Sequence, residues 1–182
     1  MGEILQTKFA PAERDLKEIS LQQKAKIEAS EFFNEVMAGT PFLFFILNDK
    51  RQVVYSNTRL MEYLGYDEMD LLVGLRPGEI FHCVNADKEP GGCGTDSNCR
   101  YCGAINAVLE SEKSASLVIR DSVINVRQNG KIVPMNFEVS SKAIHWEGEL
   151  FFIVTMQNIA EKKRKEQLER DFFHDIINKA GK

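Results

Sequence analysis

Four cysteines are the residues in this sequence whose type and spacing most clearly point to chemistry. The chain has 182 residues, and its four cysteines are Cys83, Cys93, Cys99 and Cys102. Four thiolates form the ligand set of structural zinc sites and of iron–sulfur clusters. A C-x-x-C pair such as Cys99 and Cys102 supplies two ligands from one turn, and the glycines nearby permit tight turns. The pattern predicts a metal centre on all four cysteines, and ligand type leaves zinc and an iron–sulfur cluster both open.

Two other interpretations of the cysteines need no metal. In one, Cys99 and Cys102 form a redox-active dithiol, because a helix predicted at 104–112 begins beside them and a helix N-terminus lowers a thiol pKa. In the other, the cysteines are small buried hydrophobic residues, which suits a loop rich in Gly and polar residues poorly. His82 could replace one of the cysteine ligands, although a partly exposed loop histidine without a metal is the simpler interpretation of this residue.

His174 is a second candidate for chemistry, in a charged helix predicted from position 160 onwards. That helix carries a broad apolar stripe made of Leu168, Phe172, Phe173, Ile176 and Ile177. With about 100° of rotation per residue, His174 lies about 150° from the centre of the stripe and should face solvent. An accessible imidazole nitrogen can act as a nucleophile, and the adjacent Asp175 carboxylate can accept a hydrogen bond from the other ring nitrogen, which leaves the attacking nitrogen unprotonated. A solvated histidine on a polar helix face would give the same pattern.

The rest of the sequence predicts the elements that position these residues. Apolar residues spaced three and four apart predict an amphipathic helix from about Pro11 to Ala38, in an N-terminal unit 1–38, and Gly39, Thr40 and Pro41 end it. Short helices are predicted at 58–66, 67–74 and 104–112. Runs rich in β-forming residues predict strands at 42–47, 52–56, 116–128, 131–144 and 149–159. The pair Asn129-Gly130 is a strong hairpin signal, and the whole order predicts an α+β domain with one antiparallel sheet.

This order of elements resembles a PAS sensory domain over about residues 29–160. The resemblance is carried by the strand pair at 42–56, Asn57 at the start of the next helix, the segment GYDEMDLLVG, the Asn-Gly hairpin and the exit TMQNIAEKKRKE. It implies a PAS-like five-stranded antiparallel sheet with small helices on one face, flanked by N-terminal and C-terminal coiled-coil-type helices. The resemblance also implies that the cysteine-rich stretch 82–103 is an insertion, on the side of the domain where many PAS domains hold heme, flavin or small ligands. The implied units are an N-terminal amphipathic helix at 1–38, the PAS sensory domain at 39–160, and a signalling helix with the start of the phosphoacceptor helix at 161–182.

One segment of the insertion, Asn98-Cys99-Arg100-Tyr101, resembles the photoactive NCRF segment of flavin-binding LOV domains. In that family the segment directly follows the GY…G segment, where this chain has LRPGEIF instead. Because the segment comes later in the chain, inside the insertion, we do not expect a light sensor.

The C-terminal sequence ERDFFHDIINKAG resembles the start of the dimerisation and phosphoacceptor helix of two-component sensor histidine kinases. His174, Asp175 and Asn178 match the family pattern, whereas Lys179 and Lys182 depart from its small or polar residues. The resemblance implies that His174 receives the phosphoryl group. It also implies a homodimer through the flanking helices, with a kinase ATP-binding domain and a response regulator as partners. No ATP-binding catalytic domain is recognisable in the sequence, which leaves open whether the chain belongs to an enzyme.

Composition narrows the class of protein. Hydrophobic residues make up 43% and charged residues 27%, which suits a folded domain, and the net charge of -4 argues against a nucleic-acid binder. No apolar run approaches the roughly 18 residues of a membrane span, and no secretion signal is evident, so a cytoplasmic location is expected. The sequence therefore predicts the signal-sensing module of a cytoplasmic two-component sensor histidine kinase, with a redox- or metal-linked signal. The alternatives are a metal-binding, dimerising PAS module without phosphotransfer and a thiol-redox protein.

Overall fold

The computed structural model describes residues 5–180, except for the side chains at 175 and 178–180, and within it five strands form one antiparallel sheet. In chain order the strands are β1 (Leu43–Asn48), β2 (Val53–Ser56), β3 (Val118–Gln128), β4 (Lys131–Trp146) and β5 (Glu149–Asn158). They are hydrogen-bonded in the order β2-β1-β5-β4-β3, and every neighbouring pair is antiparallel. The predicted α+β class with a five-stranded antiparallel sheet is confirmed.

Helices lie before, between and after these strands. They are α1 (Lys17–Glu28), α2 (Glu31–Ala38), α3 (Thr58–Leu64), α4 (Pro77–Ile80), α5 (Gly103–Ser114) and α6 (Ala160–Ala180). The helix predicted at 67–74 is instead a single 3₁₀ turn at Met69–Leu71, because left-handed glycines close to either end of the segment, Gly65 and Gly74, interrupt helical geometry. None of the helices in the described chain is long and apolar enough to cross a bilayer.

The N-terminal helix predicted within 1–38 differs from the structure. Of the helix predicted from about Pro11 to Ala38, residues 11–16 are not helical, and the remainder is divided into α1 and α2 around position 30. The division arises because the Ser30 side chain accepts a hydrogen bond from the Phe33 N–H at 3.2 Å, which starts a new helix with its own N-cap. The prediction of one continuous helix was therefore wrong.

Two tight turns join the last three strands. Asn129 and Gly130 both have positive φ, 50° and 74°, and Glu147 and Gly148 repeat the geometry with 51° and 82°. Positive φ at both central residues is the arrangement of type I′ turns, whose twist matches that of the flanking strands. The predicted Asn129-Gly130 hairpin is confirmed, and it sets the register in which β3 and β4 pair.

The sheet carries an apolar layer on each face. On one face, α3, α4 and α5 cover a larger core that includes Phe45, Leu47, Phe137, Phe152 and Met156. On the other face, α1 and α2 cover a smaller core that includes Ile27, Phe44, Ile46, Val54 and Phe151. Because β1 has a layer on both sides, it is buried along its whole length, which explains its uninterrupted apolar sequence.

Candidate functional site

The cysteine-rich insertion lies between α4 and α5 and is anchored near both of its ends. Near its start, Cys83 forms an isolated antiparallel bridge with Val126 of β3. Near its end, Asp96 caps the 3₁₀ turn Ser97–Tyr101, and this turn leads directly to Cys102, the N-cap residue of α5. The insertion is therefore held against both the edge of the sheet and the start of the longest helix on that face.

All four cysteines line one cavity of about 410 Å³ between the insertion, α5 and the sheet. The sheet side of this cavity is apolar and is formed by Phe45, Val139, Val154 and Met156. Polar side chains reach it from Arg51, Arg76, Asn98 and Asn125. The fold thus brings together four residues that are spread over the whole insertion in the sequence.

The cysteines are free thiols in protected surroundings. The Cys93 sulfur accepts a hydrogen bond from the Gly78 N–H at 3.2 Å, and burial raises the pKa of this thiol to about 12. Burial also raises the pKa of Cys83 and of Cys99, against the opposing effect of backbone N–H groups. These three thiols are therefore protonated at neutral pH, and a metal that binds them must displace their protons.

The four cysteines line this cavity without forming a site for a single metal ion. Throughout residues 5–180, wherever side chains are described, no three Cys, His, Asp or Glu side chains are grouped so that they could hold one metal ion. His82, considered above as a substitute ligand, is exposed and does not line the cavity. Backbone N–H groups lower the pKa of Cys83, Cys93 and Cys99 in part, and such groups favour the thiolate form that a metal requires.

Two buried arginines that the sequence analysis missed face the same cavity. Arg76 is fully buried. Its guanidinium donates to the backbone carbonyls of Glu13, Lys50, Gly91 and Cys93. Arg51 is 7% exposed and donates to the Pro11 carbonyl, while its Nε is buried with no hydrogen-bond partner in the described chain. Burial, reinforced by the charge of Arg51, lowers the pKa of Arg76 to about 9.

An N-terminal strap, residues 5–16, covers the insertion from the outside. Its backbone pairs with the insertion, as in the 3.0 Å hydrogen bond from the Ala10 N–H to the Gly94 carbonyl. The Ala10 side chain is 2% exposed and packs with Cys99 and Ile105. The strap therefore shields one side of the cysteine region from solvent. The sequence analysis did not predict this contact.

A comparison with protein families decides what kind of domain holds this cavity. The sequence profile described as PAS domain matches residues 41–161. This chain belongs to the PAS domain family. The predicted resemblance is confirmed in its central part, whereas the strap, α1, α2 and nearly all of α6 lie outside the matched residues.

Two solved structures with TM-scores above 0.5 show the same fold at low sequence identity. The PAS domain of nitrogen regulation protein NR(II) from Vibrio parahaemolyticus has a TM-score of 0.51 at 15% identity, covering 71% of this chain and 100% of that chain. An RNA-binding light-oxygen-voltage receptor has a TM-score of 0.52 at 13% identity, covering 76% of this chain and 36% of that chain. A PAS domain from a two-component sensor histidine kinase has a lower TM-score of 0.47 at 14% identity, covering 74% of this chain and 98% of that chain. No curated protein matches the sequence.

Within this PAS domain, a series of contacts leads from the cysteine cavity to α6. The Cys102 sulfur lies 3.7 Å from the Ser122 hydroxyl on β3. Gly103 packs so tightly against β3 that a Cβ added to it would lie 2.1 Å from the Asp121 carbonyl oxygen. The Asp121 carboxylate in turn forms an ion pair with Lys163 Nζ of α6 at 2.6 Å. The first turns of α5 and α6 therefore contact the same short stretch of β3.

The residues predicted to take part in phosphotransfer lie on α6, beyond the sheet of the PAS domain. His174 is exposed, as its position opposite the apolar stripe predicted. The side chains of Asp175 and Asn178 lie outside the described residues, so their roles stay predictions. His174 follows Lys163 by eleven residues, roughly 16 Å along the helix at about 1.5 Å per residue. An influence of the cavity on His174 would therefore have to travel along α6.

Proposed function

We propose that this PAS domain is the signal-sensing input module of a cytoplasmic two-component sensor histidine kinase. The signal is redox- or metal-linked and enters through a metal centre, zinc or iron–sulfur, on Cys83, Cys93, Cys99 and Cys102. α6 relays the state of this centre to the phosphoacceptor His174, with Asp175 and Asn178 beside it. The observation that carries the proposal is the single cavity that all four cysteines line.

The position of this cavity favours a sensing role because its walls come from different elements of the domain. A metal would replace the protons of the buried thiols and draw the four sulfurs towards common atoms. Movement of Cys102 would act directly on the first turn of α5. Since Gly103 leaves no free space against the Asp121 carbonyl, such a movement would also displace β3.

The junction between β5 and α6 supports a relay to the outgoing helix. Ile159, between β5 and α6, is 5% exposed, and its N–H donates to the Asn136 carbonyl on β4 at 2.9 Å. α6 is thus fixed at its root to β4 through this bond and to β3 through the Asp121–Lys163 ion pair. A displacement of β3 relative to β4 would change the direction or rotation of α6, which is a recognised form of switching in packed helices.

The proposal includes a homodimer formed through the flanking helices. The apolar stripe of α6 is 46–70% exposed, and its members are Leu168, Phe172, Phe173, Ile176 and Ile177. A second copy of the helix would bury this surface. In sedimentation measurements, Phe172→Lys should shift the protein towards monomer, whereas Gln167→Lys on the opposite side of α6 should leave the dimer intact. Equal masses for wild type and Phe172→Lys contradict a dimer held by this stripe.

Phosphotransfer is tested with a separately supplied cognate kinase ATP-binding domain and labelled ATP. The chain should acquire label on His174, His174→Gln should lose it, and His145→Gln on β4 should keep it. A response regulator added afterwards should remove the label. If wild-type chain never acquires label, the phosphoacceptor role is wrong, and a metal-binding, dimerising PAS module without phosphotransfer remains.

The thiol-redox alternative is less consistent with the site. A reactive dithiol needs a thiolate at neutral pH, and burial raises the pKa of Cys99, the first residue of the C-x-x-C pair. The position of Cys102 at the start of α5 agrees with the sequence analysis, but Cys83 and Cys93 would have no role in a two-thiol mechanism. Turnover of a small disulfide substrate by the metal-free protein would favour this alternative, and its absence would favour the metal centre.

A further inference from the structure

Among the described side chains, no carboxylate forms an ion pair with Arg51 or Arg76 of the cysteine cavity. Arg76 uses its guanidinium for backbone carbonyls, and Arg51 bonds to one carbonyl and keeps a buried Nε with no partner among the described residues. The Glu79 carboxylate accepts a hydrogen bond from the Arg76 backbone N–H at 2.9 Å, and its ion pair is with Arg14. The wall of this one cavity therefore contains two buried like charges.

Buried charge is costly unless opposite charge lies beside it. Four thiolates that share one metal centre supply such charge, because a divalent core leaves roughly two negative charges on the whole group. Cys93 is the ligand next to the arginines, since its carbonyl accepts from Arg76 at 3.2 Å. The cavity is thus electrostatically matched to an anionic metal–thiolate centre.

The lack of a single-ion site among the described side chains favours one kind of metal centre over the other. A zinc ion holds four sulfurs at about 2.3 Å from a single point and requires no cavity between them. Here the four cysteines are part of the wall of a cavity of about 410 Å³, and no three of the described Cys, His, Asp or Glu side chains form a group that could hold one metal ion. An iron–sulfur cluster distributes its cysteine ligands over several metal atoms and occupies the space between them.

We propose that this cavity holds a polynuclear iron–sulfur cluster on the four cysteines, with Arg51 and Arg76 balancing its negative charge. The inference rests on the proposed function, since it names the metal centre of the same site. On assembly each thiol gives its proton to solvent and its sulfur bonds to an iron atom, while equal amounts of ferrous and ferric iron and inorganic sulfide supply the divalent core without a net electron transfer. The arginines are positioning residues and do not ligate iron.

The first test is anaerobic reconstitution of the full chain with equal amounts of ferrous and ferric iron and with sodium sulfide, beside a parallel titration with zinc alone. Retained iron and acid-labile sulfide in comparable amounts, with a visible charge-transfer absorption, support the cluster. Cys99→Ser should lower iron and sulfide retention several-fold, whereas Ser97→Ala in the same turn should not. Retention of one zinc ion without iron and sulfide overturns the cluster but leaves metal-linked sensing intact. Retention of no metal overturns both.

The second test addresses the arginines through the midpoint potential of the cluster, with dithionite supplying the single electron. Arg51 is chosen because it makes fewer structural contacts than Arg76. Removing its charge in Arg51→Gln should move the potential to more negative values, since net charge is one determinant of cluster potential. Arg51→Lys should restore it, and Arg100→Gln, an exposed position of the same insertion, should not change it. An unchanged potential in Arg51→Gln overturns the charge-balancing role.

These tests separate this inference from the proposed function. A cluster that forms while His174 never acquires label leaves the inference standing and removes the kinase assignment. Label on His174 in a protein that binds only zinc supports the kinase assignment and overturns the iron–sulfur cluster.

Discussion

Lys163 of α6 lies 2.6 Å from Asp121 of β3, so the outgoing helix is ion-paired to the strand against which the cysteine-bearing insertion is anchored. Both side chains remain substantially exposed, at 42% and 57%. An ion pair this exposed contributes little to stability. Its value would lie in coupling the position of β3 to that of α6.

Replacing Asp121 with Asn should therefore separate signalling from folding. The free energy of unfolding, measured in urea, should change by no more than about 1 kcal/mol. The difference in His174 labelling between metal-loaded and metal-free protein should become smaller. Glu110→Gln is the matched control, because it removes an exposed ion pair between α5 and β3 that does not involve α6. A full response in Asp121→Asn would rule out this route.

Adding one methyl group at Gly103 should destabilise the domain. The new Cβ would meet the Asp121 carbonyl oxygen at 2.1 Å, so either α5 or β3 must move. Overpacking of this kind costs about 1–3 kcal/mol, which thermal unfolding of Gly103→Ala would detect. Gly39→Ala serves as the control, because its Cβ would have no neighbour closer than 3.7 Å. Equal melting temperatures for both variants would contradict the tight contact.

Glu79 should make stability depend on acidity. Burial alone would raise the pKa of its carboxyl group, but hydrogen bonds from Arg14 and the Arg76 N–H outweigh burial and lower it. A lowered pKa means that the stabilisation is present above about pH 5 and is lost as pH falls through the folded-state value. Urea unfolding from pH 7 to pH 3 should therefore show a smaller loss of stability in Glu79→Gln than in wild type. Glu62→Gln, an exposed control, should follow wild type.

Detaching the strap should expose Cys99. Ala10 is 2% exposed and packs with Cys99, so the charged side chain in Ala10→Arg cannot be accommodated there. In the metal-free protein, alkylation of Cys99 by iodoacetamide, followed by mass spectrometry, should accelerate about tenfold if detachment becomes easier by about 1.4 kcal/mol. Gln6→Arg places the same charge at an exposed strap position and should leave the rate unchanged. Equal rates in both variants would show that the strap does not protect this thiol.

Local sequence signals were sufficient for the sheet but less so for the helices. Asn129-Gly130 and the alternating strands around it specify a hairpin through backbone geometry alone, and the structure has that hairpin. The break between α1 and α2 depends on one serine side chain at position 30. A run of charged and apolar residues at helical spacing conceals such a cap, which is why one continuous helix was predicted.

The candidate site shows where prediction from sequence ends. The cysteines were recognisable because thiols are chemically distinctive and clustered in the chain. Arg51 and Arg76 were not, because an arginine in a turn usually faces water, and their burial depends on carbonyls from the strap and the insertion. Contacts between segments far apart in the chain, such as Ala10 with Gly94, have no local signature at all.

The bridge between Cys83 and Val126 has a consequence beyond the metal site. β3 is an edge strand of 11 residues, and its open hydrogen-bonding groups would invite pairing with another molecule. The insertion occupies part of this edge, as residues 74–75 do for β2 through Val53 at the opposite edge. Deleting the insertion would therefore expose a strand edge able to nucleate aggregation. The first observable effect of the deletion would be an insoluble protein.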